Sequence, residues 1–229
     1  MDRAALVTGG SSGIGLAIAR MLGEEGFGLT LASRTRAKVE AAAEELGAHA
    51  VTADVSDEED CRRVVQEHAA RWGRLDMLVN SAGVGVLGRI DELPTKQLDL
   101  QLDVNLRGLM LVTAAALPLL REARGLVVNL SSFAGKSGQP WLSVYSATKA
   151  AVVAYTVAMN KELNNDGVKS VAFCPGFVDT DMADFIKDTV PAETMLKTSD
   201  IAEALKFMLR VSPACLVSEI VFQRPGETI

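Results

Sequence analysis

Residues 4–15 read AALVTGGSSGIG, and this stretch decides the fold. The segment AALVT predicts a buried strand, and the glycine-rich residues after it predict a tight turn. Apolar residues then recur at helical spacing, at Ile14, Ile18, Met21 and Leu22. Glycine lets the backbone approach a ligand closely, and the free N–H groups at a helix start attract anions. The order strand, glycine turn, helix therefore predicts a phosphate-binding site.

The glycine spacing narrows the type of phosphate site. Glycines at positions 9, 13 and 15 give G-x-x-x-G-x-G, which differs from the G-x-G-x-x-G fingerprint of many dinucleotide enzymes. The turn also lacks the Lys-Ser/Thr ending of nucleotide triphosphatases. The candidate phosphate-binding residues are Gly9, Ser11, Ser12, Gly13, Ile14 and Gly15.

A second motif, YSATK at residues 145–149, places Tyr145 and Lys149 on one face if it is helical. A unit charge about 4 Å from a phenol, at an effective dielectric of about 20, is worth roughly 4 kcal/mol, or about three pKa units. We therefore expect Lys149 to lower the pKa of Tyr145 into the range useful for proton transfer at neutral pH. Alone, the pair favours a buried ring beside a lysine that reaches for solvent.

Further motifs follow in a fixed order. These are Asp54-Val55, Asn80-Ser81-Ala82-Gly83, Asn105, Asn129-Leu130-Ser131-Ser132, the 145–149 run and Pro175-Gly176-Phe177-Val178-Asp179-Thr180. Together with the turn at 8–15, they make nearly the whole chain resemble the short-chain dehydrogenase/reductase family, of the single-domain type. The ordered set is specific, whereas any one motif is not.

The alternation of elements agrees with this resemblance. Strands are expected near residues 4–8, 28–32, 49–53, 76–80, 125–130, 168–174 and 219–222, and helices near 13–24, 35–46, 57–73, 95–120, 143–164 and 199–210. Such alternation predicts a doubly wound α/β fold with a parallel sheet, helices on both faces and ligands at the carboxyl ends of the strands. We expect one Rossmann-type domain over residues 1–229, with about seven strands. The resemblance implies the strand order 3-2-1-4-5-6-7.

Composition excludes several classes of function. The net charge is -6, and no cluster of Lys and Arg predicts a nucleic-acid surface. The three cysteines include no C-x-x-C pair, and the two histidines, His49 and His68, do not suggest a metal site or a Ser-His-Asp hydrolase. We see no apolar run of membrane-span length and no signal peptide, so we expect a soluble cytoplasmic protein that binds neither membrane nor nucleic acid.

The end of the second strand indicates the cofactor that the resemblance implies. An NAD enzyme usually has Asp or Glu there to bind the ribose 2′-hydroxyl, whereas a 2′-phosphate needs a cation and donors. This chain has Ser33 and Arg34, and guanidinium can fork onto phosphate oxygens. We therefore predict NADP(H). Without the glycine turn, Arg34 would be only a solvated loop residue.

The resemblance implies other cofactor contacts. Asp54 would accept from the adenine amino group, although it can also belong to the cap of the next helix, for which Ser56 is the better candidate. The remaining residues expected around the cofactor are Val55, Asn80, Ala82, Gly83, Tyr145, Lys149, Pro175, Gly176, Val178 and Thr180. Pro175-Gly176 also fits a simple turn.

The resemblance also implies a mechanism for reduction of a carbonyl. Tyr145 would donate the proton, and Ser132 would hydrogen-bond the carbonyl oxygen. Lys149 would lower the phenol pKa and bind the nicotinamide ribose, and Asn105 would support a water leading to Lys149. Ser132 can also be a loop hydroxyl, and Asn105 an interior helix residue bonded to backbone.

The substrate is predicted only as a class. Apolar residues near the catalytic motifs suggest a ketone, aldehyde or secondary alcohol with a hydrophobic body, 3-oxoacyl compounds included. They are Phe133, Pro140, Trp141, Phe177, Met182 and Phe185, and they can equally be core or subunit contacts. Residues 179–198 are the expected lid. The segment 217–225 departs from the usual Asp-Gly-Gly ending of the family.

Two other functions fit this sequence less well. A non-catalytic dinucleotide-sensing regulator should have lost Tyr145 or Lys149, and a sugar-nucleotide epimerase or dehydratase should be longer, with G-x-x-G-x-x-G spacing. Apolar residues on more than one face of the helices near 95–120 and 143–164 suggest subunit contacts. The resemblance implies a homotetramer or homodimer.

Overall fold

A computed structural model describes residues 2–225. Seven strands form one parallel sheet in the order β3-β2-β1-β4-β5-β6-β7, which confirms the predicted order. The strands are β1 Ala4–Thr8, β2 Gly28–Ser33, β3 His49–Thr52, β4 Met77–Asn80, β5 Leu126–Leu130, β6 Lys169–Pro175 and β7 Glu219–Phe222. The helices are α1 Gly13–Glu24, α2 Arg36–Leu46, α3 Glu58–Trp72, α4 Thr95–Leu102, α5 Leu109–Ala123, α6 Ser143–Glu162 and α7 Thr198–Met208.

Helices cover both faces of the sheet, as a doubly wound fold requires. On one face Ile18 of α1, Val39 of α2 and Ile201 of α7 pack in a common apolar layer. On the other face α3, α5 and α6 contribute a second layer, which includes Val64 and Leu120. Every residue of β1 is buried, because helices cover both of its sides.

The predicted long helix near 95–120 is present over Thr95–Ala123, but its geometry changes in the middle. A π-helical turn, Asp103–Gly108, separates α4 from α5 and contains Asn105. A π turn inserts an extra residue into the helical ladder and is often found at functional sites. At Gly108, a Cβ atom would lie 2.3 Å from the carbonyl oxygen of Val55, so the helix passes directly against the loop after β3.

One helical stretch of the described residues, Thr95–Ala123, is long and apolar enough to cross a membrane by length and composition alone. This corrects the expectation that no stretch reaches that length. Its α5 part contributes Val112, Ala116 and Leu120 to the layer beneath the sheet, which is the position of a core helix.

The histidines lie away from the carboxyl ends of the strands. His68 is fully buried, with Nδ1 2.8 Å from Thr30 Oγ1 and Nε2 2.9 Å from the carbonyl oxygen of Arg74. Trp72 Nε1 donates to the same threonine hydroxyl at 3.1 Å. Burial lowers the pKa of His68 to about 4. His68 is therefore a buried, neutral packing residue near neutral pH.

Candidate active site

A cleft of about 450 Å³ opens where the strands end. It is lined by the glycine turn, by the residues after β4, β5 and β6, and by the start of α6. The predicted site residues on its wall are Gly9, Ser12, Gly13, Ile14, Ala82, Gly83, Ser132, Phe133, Tyr145, Lys149, Pro175, Gly176, Phe177, Val178, Thr180, Met182 and Phe185. The fold thus brings together segments that are more than 160 residues apart in the chain.

The glycine turn is built for close approach. Gly9 has φ +65° and Gly13 has φ +54°, which favour glycine, and a Cβ atom on Gly15 would lie 2.3 Å from the carbonyl oxygen of Gly9. The first turn of α1 contains no acidic residue, and Ser12 makes no side-chain cap. The free N–H groups of α1 therefore stay available for an anion, which fits the pyrophosphate of a dinucleotide.

The end of β2 adjoins this turn. Ser11 Oγ donates to Ser33 Oγ at 2.8 Å, which joins the glycine turn to the strand end. Arg34 is exposed and makes no hydrogen bond or ion pair within residues 2–225, whereas its neighbour Arg36 is paired with Glu40 at 2.7 Å. Two hydroxyls and an unpaired guanidinium therefore lie where the ribose 2′ position of a dinucleotide is expected.

Asp54, Val55 and Asn80 are not on the cleft wall. Asp54 Oδ1 accepts from Ser56 N at 2.9 Å and Ser56 Oγ at 2.8 Å, while Asp57, not Ser56, caps α3. The expectation that Ser56 is the capping residue is therefore wrong. The cysteine thiol of Cys61 donates to the carbonyl oxygen of Val55 at 3.2 Å.

Asn80 is a buried structural link. Its Nδ2 atom donates to Thr113 Oγ1 at 3.0 Å and to Asn129 Oδ1 at 2.9 Å, and Asn129 Nδ2 donates to Thr156 Oγ1 at 2.9 Å. The chain of bonds joins β4, β5, α5 and α6. The Asn80 side chain thus holds the sheet and the helices together beneath the cleft.

Tyr145 and Lys149 lie on one face of α6, as the spacing predicts. Lys149 Nζ is 5.6 Å from the centroid of the Tyr145 ring and donates to the carbonyl oxygen of Leu130 at 2.7 Å. Lys149 is buried, whereas Tyr145 is partly exposed to the cleft. The ammonium is therefore held below the ring, at the end of β5.

The pKa values of this pair correct one expectation. Burial raises the pKa of Tyr145, and hydrogen bonding with Ser132 acts in the opposite direction. Lys149 is not among the groups that shift the phenol. Instead, burial lowers the pKa of Lys149 itself to about 8, with a smaller opposing effect from Cys174. Desolvation of both groups outweighs their mutual attraction in this structure.

Ser132 and Asn105 have defined partners. Ser132 Oγ donates to the carbonyl oxygen of Pro175 at a long 3.4 Å and accepts from Ala134 N at 3.1 Å. Asn105 Oδ1 accepts from Val84 N and its Nδ2 donates to the carbonyl oxygen of Val84, both at 2.8 Å. The Asn105 side chain thus fixes the loop after β4, and Ser132 faces the cleft beside Tyr145.

The substrate side of the cleft is apolar and aromatic. Phe177 and Phe185 pack edge to face at 6.3 Å between ring centroids, and Phe133 lies buried beside them. Met182 and Phe185 are about half exposed at the cleft mouth. These residues give this part of the cleft an apolar wall.

Trp141 and Pro140 are not on the cleft wall, so their assignment to the pocket is wrong. Trp141 is 56% exposed, has φ +66° and lies 5.9 Å from the Arg89 guanidinium. Its carbonyl oxygen accepts from Gly88 N at 2.8 Å, which turns the backbone and directs the ring outward.

The structure adds residues that local sequence did not single out. Gly85, Leu87, Gln139, Leu142 and Asp181 line the cleft. A Cβ atom on Gly85 would lie 3.7 Å from the Tyr145 ring. Gln139 and Leu142 lie just before α6 and belong to no recognisable motif. The only sequence signal for them was their position close to the 145–149 motif. The atypical segment 217–225 also supports the cleft wall, since the carbonyl oxygen of Phe222 accepts a hydrogen bond from Gly176 N at 2.9 Å.

Comparison with known proteins agrees with this geometry. A family model described as short chain dehydrogenase matches residues 3–191. An uncharacterized oxidoreductase of Staphylococcus aureus (strain USA300) is 35% identical, with 96% of each chain covered. A 3-oxoacyl-[acyl-carrier-protein] reductase of Bos taurus is 34% identical, over 91% of this chain and 92% of that one.

Solved structures with different nicotinamide cofactors are similar. An alcohol dehydrogenase from Thermococcus sibiricus complexed with 5-hydroxy-NADP has a TM-score of 0.88 at 31% identity, covering 98% of this chain and 99% of that one. An actinorhodin polyketide ketoreductase solved with NADPH has a TM-score of 0.90 at 30% identity. The match covers 96% of this chain and 95% of that one. A 3-ketoacyl-(acyl-carrier-protein) reductase from Brucella melitensis solved with NADH has a TM-score of 0.86 at 29% identity, and the match covers 96% of each chain. The glycine turn, the sheet and these matches together show that the chain is an oxidoreductase of the short-chain dehydrogenase/reductase family.

Proposed function

We propose that the protein is an NADP(H)-dependent oxidoreductase that interconverts a hydrophobic carbonyl compound and its secondary alcohol. One observation carries the proposal: the Tyr145 phenol, the Ser132 hydroxyl and the Lys149 ammonium meet in one cleft, beside a glycine turn shaped for a dinucleotide. An acid, a hydrogen-bond donor and a cation are the groups that a developing alkoxide requires.

The nicotinamide supplies or accepts the hydride when it is bound. Ser132 orients the carbonyl oxygen, and Tyr145 donates its phenolic proton to that oxygen as negative charge develops. Lys149, with its pKa lowered to about 8, is an ammonium at neutral pH and would bind the nicotinamide ribose. Both polar atoms of the Asn105 side chain bond to the backbone of Val84, so in this proposal Asn105 holds the loop after β4.

The choice of NADP(H) rests on the end of β2. Arg34 is free of carboxylate partners in the described chain, and the Ser11–Ser33 pair adds hydroxyl donors. A 2′-phosphate dianion is bound well by such a set, whereas a ribose 2′-hydroxyl is usually bound by a carboxylate. Relatives with NADPH and 5-hydroxy-NADP support this choice, although a relative with NADH is equally similar in fold.

The remaining proposals concern the cell and the assembly. We place the protein in the cytoplasm, with a small molecule as its partner rather than nucleic acid or membrane. A homodimer or homotetramer would cover the apolar residues that α5, α6 and the π turn leave partly exposed, among them Leu106, Met110, Val153 and Val157.

A panel of ketones and aldehydes with NADPH tests the function. Oxidation of the cofactor, followed by its absorbance, should appear with apolar carbonyl compounds and disappear in the Tyr145→Phe variant. Binding of NADPH without turnover on any member of the panel would contradict the proposal and favour a dinucleotide-sensing regulator.

A further inference from the structure

The lid segment, residues 179–198, carries an excess of negative charge at the cleft mouth. It begins where Val178 pairs with Leu196, and Asp179 N donates to the carbonyl oxygen of Leu196 at 2.9 Å. The segment contains five carboxylates and two lysines. These are Asp179, Asp181, Asp184, Asp188 and Glu193, with Lys187 and Lys197.

Both lysines of the lid are already paired. Lys187 Nζ lies 2.6 Å from Asp184 and 3.8 Å from Asp179, and Lys197 Nζ lies 3.2 Å from Asp179. In the described part of the chain, the other three carboxylates, of Asp181, Asp188 and Glu193, are exposed and have no ion pair. Asp181 itself is on the cleft wall. The lid therefore presents unneutralised negative charge to an arriving ligand.

The cleft offers little to compensate this charge. Among the described residues that line it, only Lys149 and Asp181 are charged. Lys149 is buried and donates to Leu130, so its charge is directed inward. At the mouth the wall consists of Leu87, Met182 and Phe185, which suit an apolar group.

We propose that the enzyme reduces free, uncharged carbonyl compounds and discriminates against the same acyl groups carried on a phosphate-bearing polyanion such as coenzyme A. This inference rests on the proposed function of the cleft. A carrier would place several negative charges outside the cleft, beside the unpaired carboxylates of the lid. Like charges there slow association and weaken binding, and salt screens the effect.

A cation beside the cleft can act in the opposite sense. The Arg224 guanidinium is 5.6 Å from the centroid of the Phe177 ring, which is part of the cleft wall. If Arg224 binds a carrier phosphate, Arg224→Gln will weaken the coenzyme A thioester selectively, and this result would overturn the inference.

The test compares one acyl group on two carriers. The 3-oxobutanoyl thioester of coenzyme A and that of N-acetylcysteamine, which is neutral, are assayed with NADPH beside an aryl-alkyl ketone. At an ionic strength of about 0.01 M, where screening extends over about 30 Å, we expect kcat/KM of the N-acetylcysteamine thioester to exceed that of the coenzyme A thioester by about tenfold or more. The ratio of the two kcat/KM values should become smaller at high salt concentration, because salt screens the charges.

A charge-reversal variant separates the lid from the rest of the cleft. Asp188→Lys with Glu193→Lys, both outside the cleft wall, should raise kcat/KM for the coenzyme A thioester about tenfold at low salt and leave the neutral substrates within about twofold. The control carries the same change of charge far from the cleft. It is Glu24→Lys with Glu122→Lys, at the carboxyl ends of α1 and α5, near the amino ends of the strands, and we expect it to leave kcat/KM unchanged for every substrate.

The outcomes are distinct. Equal or better use of the coenzyme A thioester by the wild type, or no response to salt and charge reversal, overturns the inference while the proposed function stands. If no carbonyl compound is reduced with NADPH, the proposed function itself fails.

Discussion

Replacing Lys149 by methionine should abolish efficient catalysis and yet stabilise the cofactor-free protein. Burial lowers the pKa of Lys149 from 10.5 to about 8. A shift of this size means that the folded chain holds the ammonium at a cost of about 3 kcal/mol relative to the neutral amine at pH 7. Methionine has a similar length and removes that cost.

The lost hydrogen bond offsets part of the gain. Lys149 Nζ donates to the carbonyl oxygen of Leu130 at 2.7 Å, and a hydrogen bond to a charged group contributes about 1.5 kcal/mol or more. We therefore expect Lys149→Met to raise the free energy of unfolding by about 1 to 2 kcal/mol. For a domain of this size the melting temperature should rise by about 2 to 8 °C.

The pH dependence identifies the cause. Below pH 8 both the folded and the unfolded chain bind the proton, so the destabilisation is fully present. Between pH 8 and about 10.5 only the unfolded chain keeps the proton, so the stability of the wild type should rise relative to the variant. Other titrating groups are largely common to both proteins and cancel in the difference.

Thermal and urea unfolding at pH 7 and pH 10, without cofactor, make the measurement. Lys161→Met, at an exposed position on the same helix, is the matched control and should change stability little. A Lys149→Met protein that is less stable than the wild type at pH 7, or whose stability difference is the same at both pH values, would refute the burial argument.

Four further predictions concern the site, the cofactor, the assembly and the core. Tyr145→Phe should lower carbonyl reduction by about 10²-fold or more while NADPH affinity persists, and near-wild-type turnover would show that another group is the proton donor. Arg34→Ala should weaken NADPH about tenfold or more and leave NADH unchanged, with Arg36→Ala as control; equal losses for both cofactors in a binding titration would exclude a phosphate contact. Light scattering at micromolar concentration should show a dimer or tetramer, and a monomer alone would contradict the proposed assembly. Because the pKa of His68 is lowered to about 4, the wild type should lose up to about 3 kcal/mol of stability as pH falls from about 6.5 to 4, and His68→Gln should not show this slope in acid unfolding.

The sequence by itself was sufficient for the alternation of strands and helices and for the helix face that Tyr145 and Lys149 share. Strand and helix periods, with a glycine turn between β1 and α1, specify parallel alternation, and chirality restricts the crossovers. The i, i+4 spacing places Tyr145 and Lys149 on one helix face without any tertiary information. The strand order was supplied by resemblance, because strand pairing depends on contacts between distant segments.

Only the tertiary structure decided the surroundings of these residues. Lys149 is buried by β5, α6 and the backbone at Gly135, where a Cβ atom would lie 2.6 Å from the Lys149 carbonyl carbon. Because of this burial, desolvation dominates the pKa of Lys149. The left-handed backbone at Trp141 turns its ring away from the cleft, although its sequence neighbours enter it. Periodicity reports which face of its own element a residue occupies, whereas burial, charge environment and access to the cleft depend on what other elements place against that face.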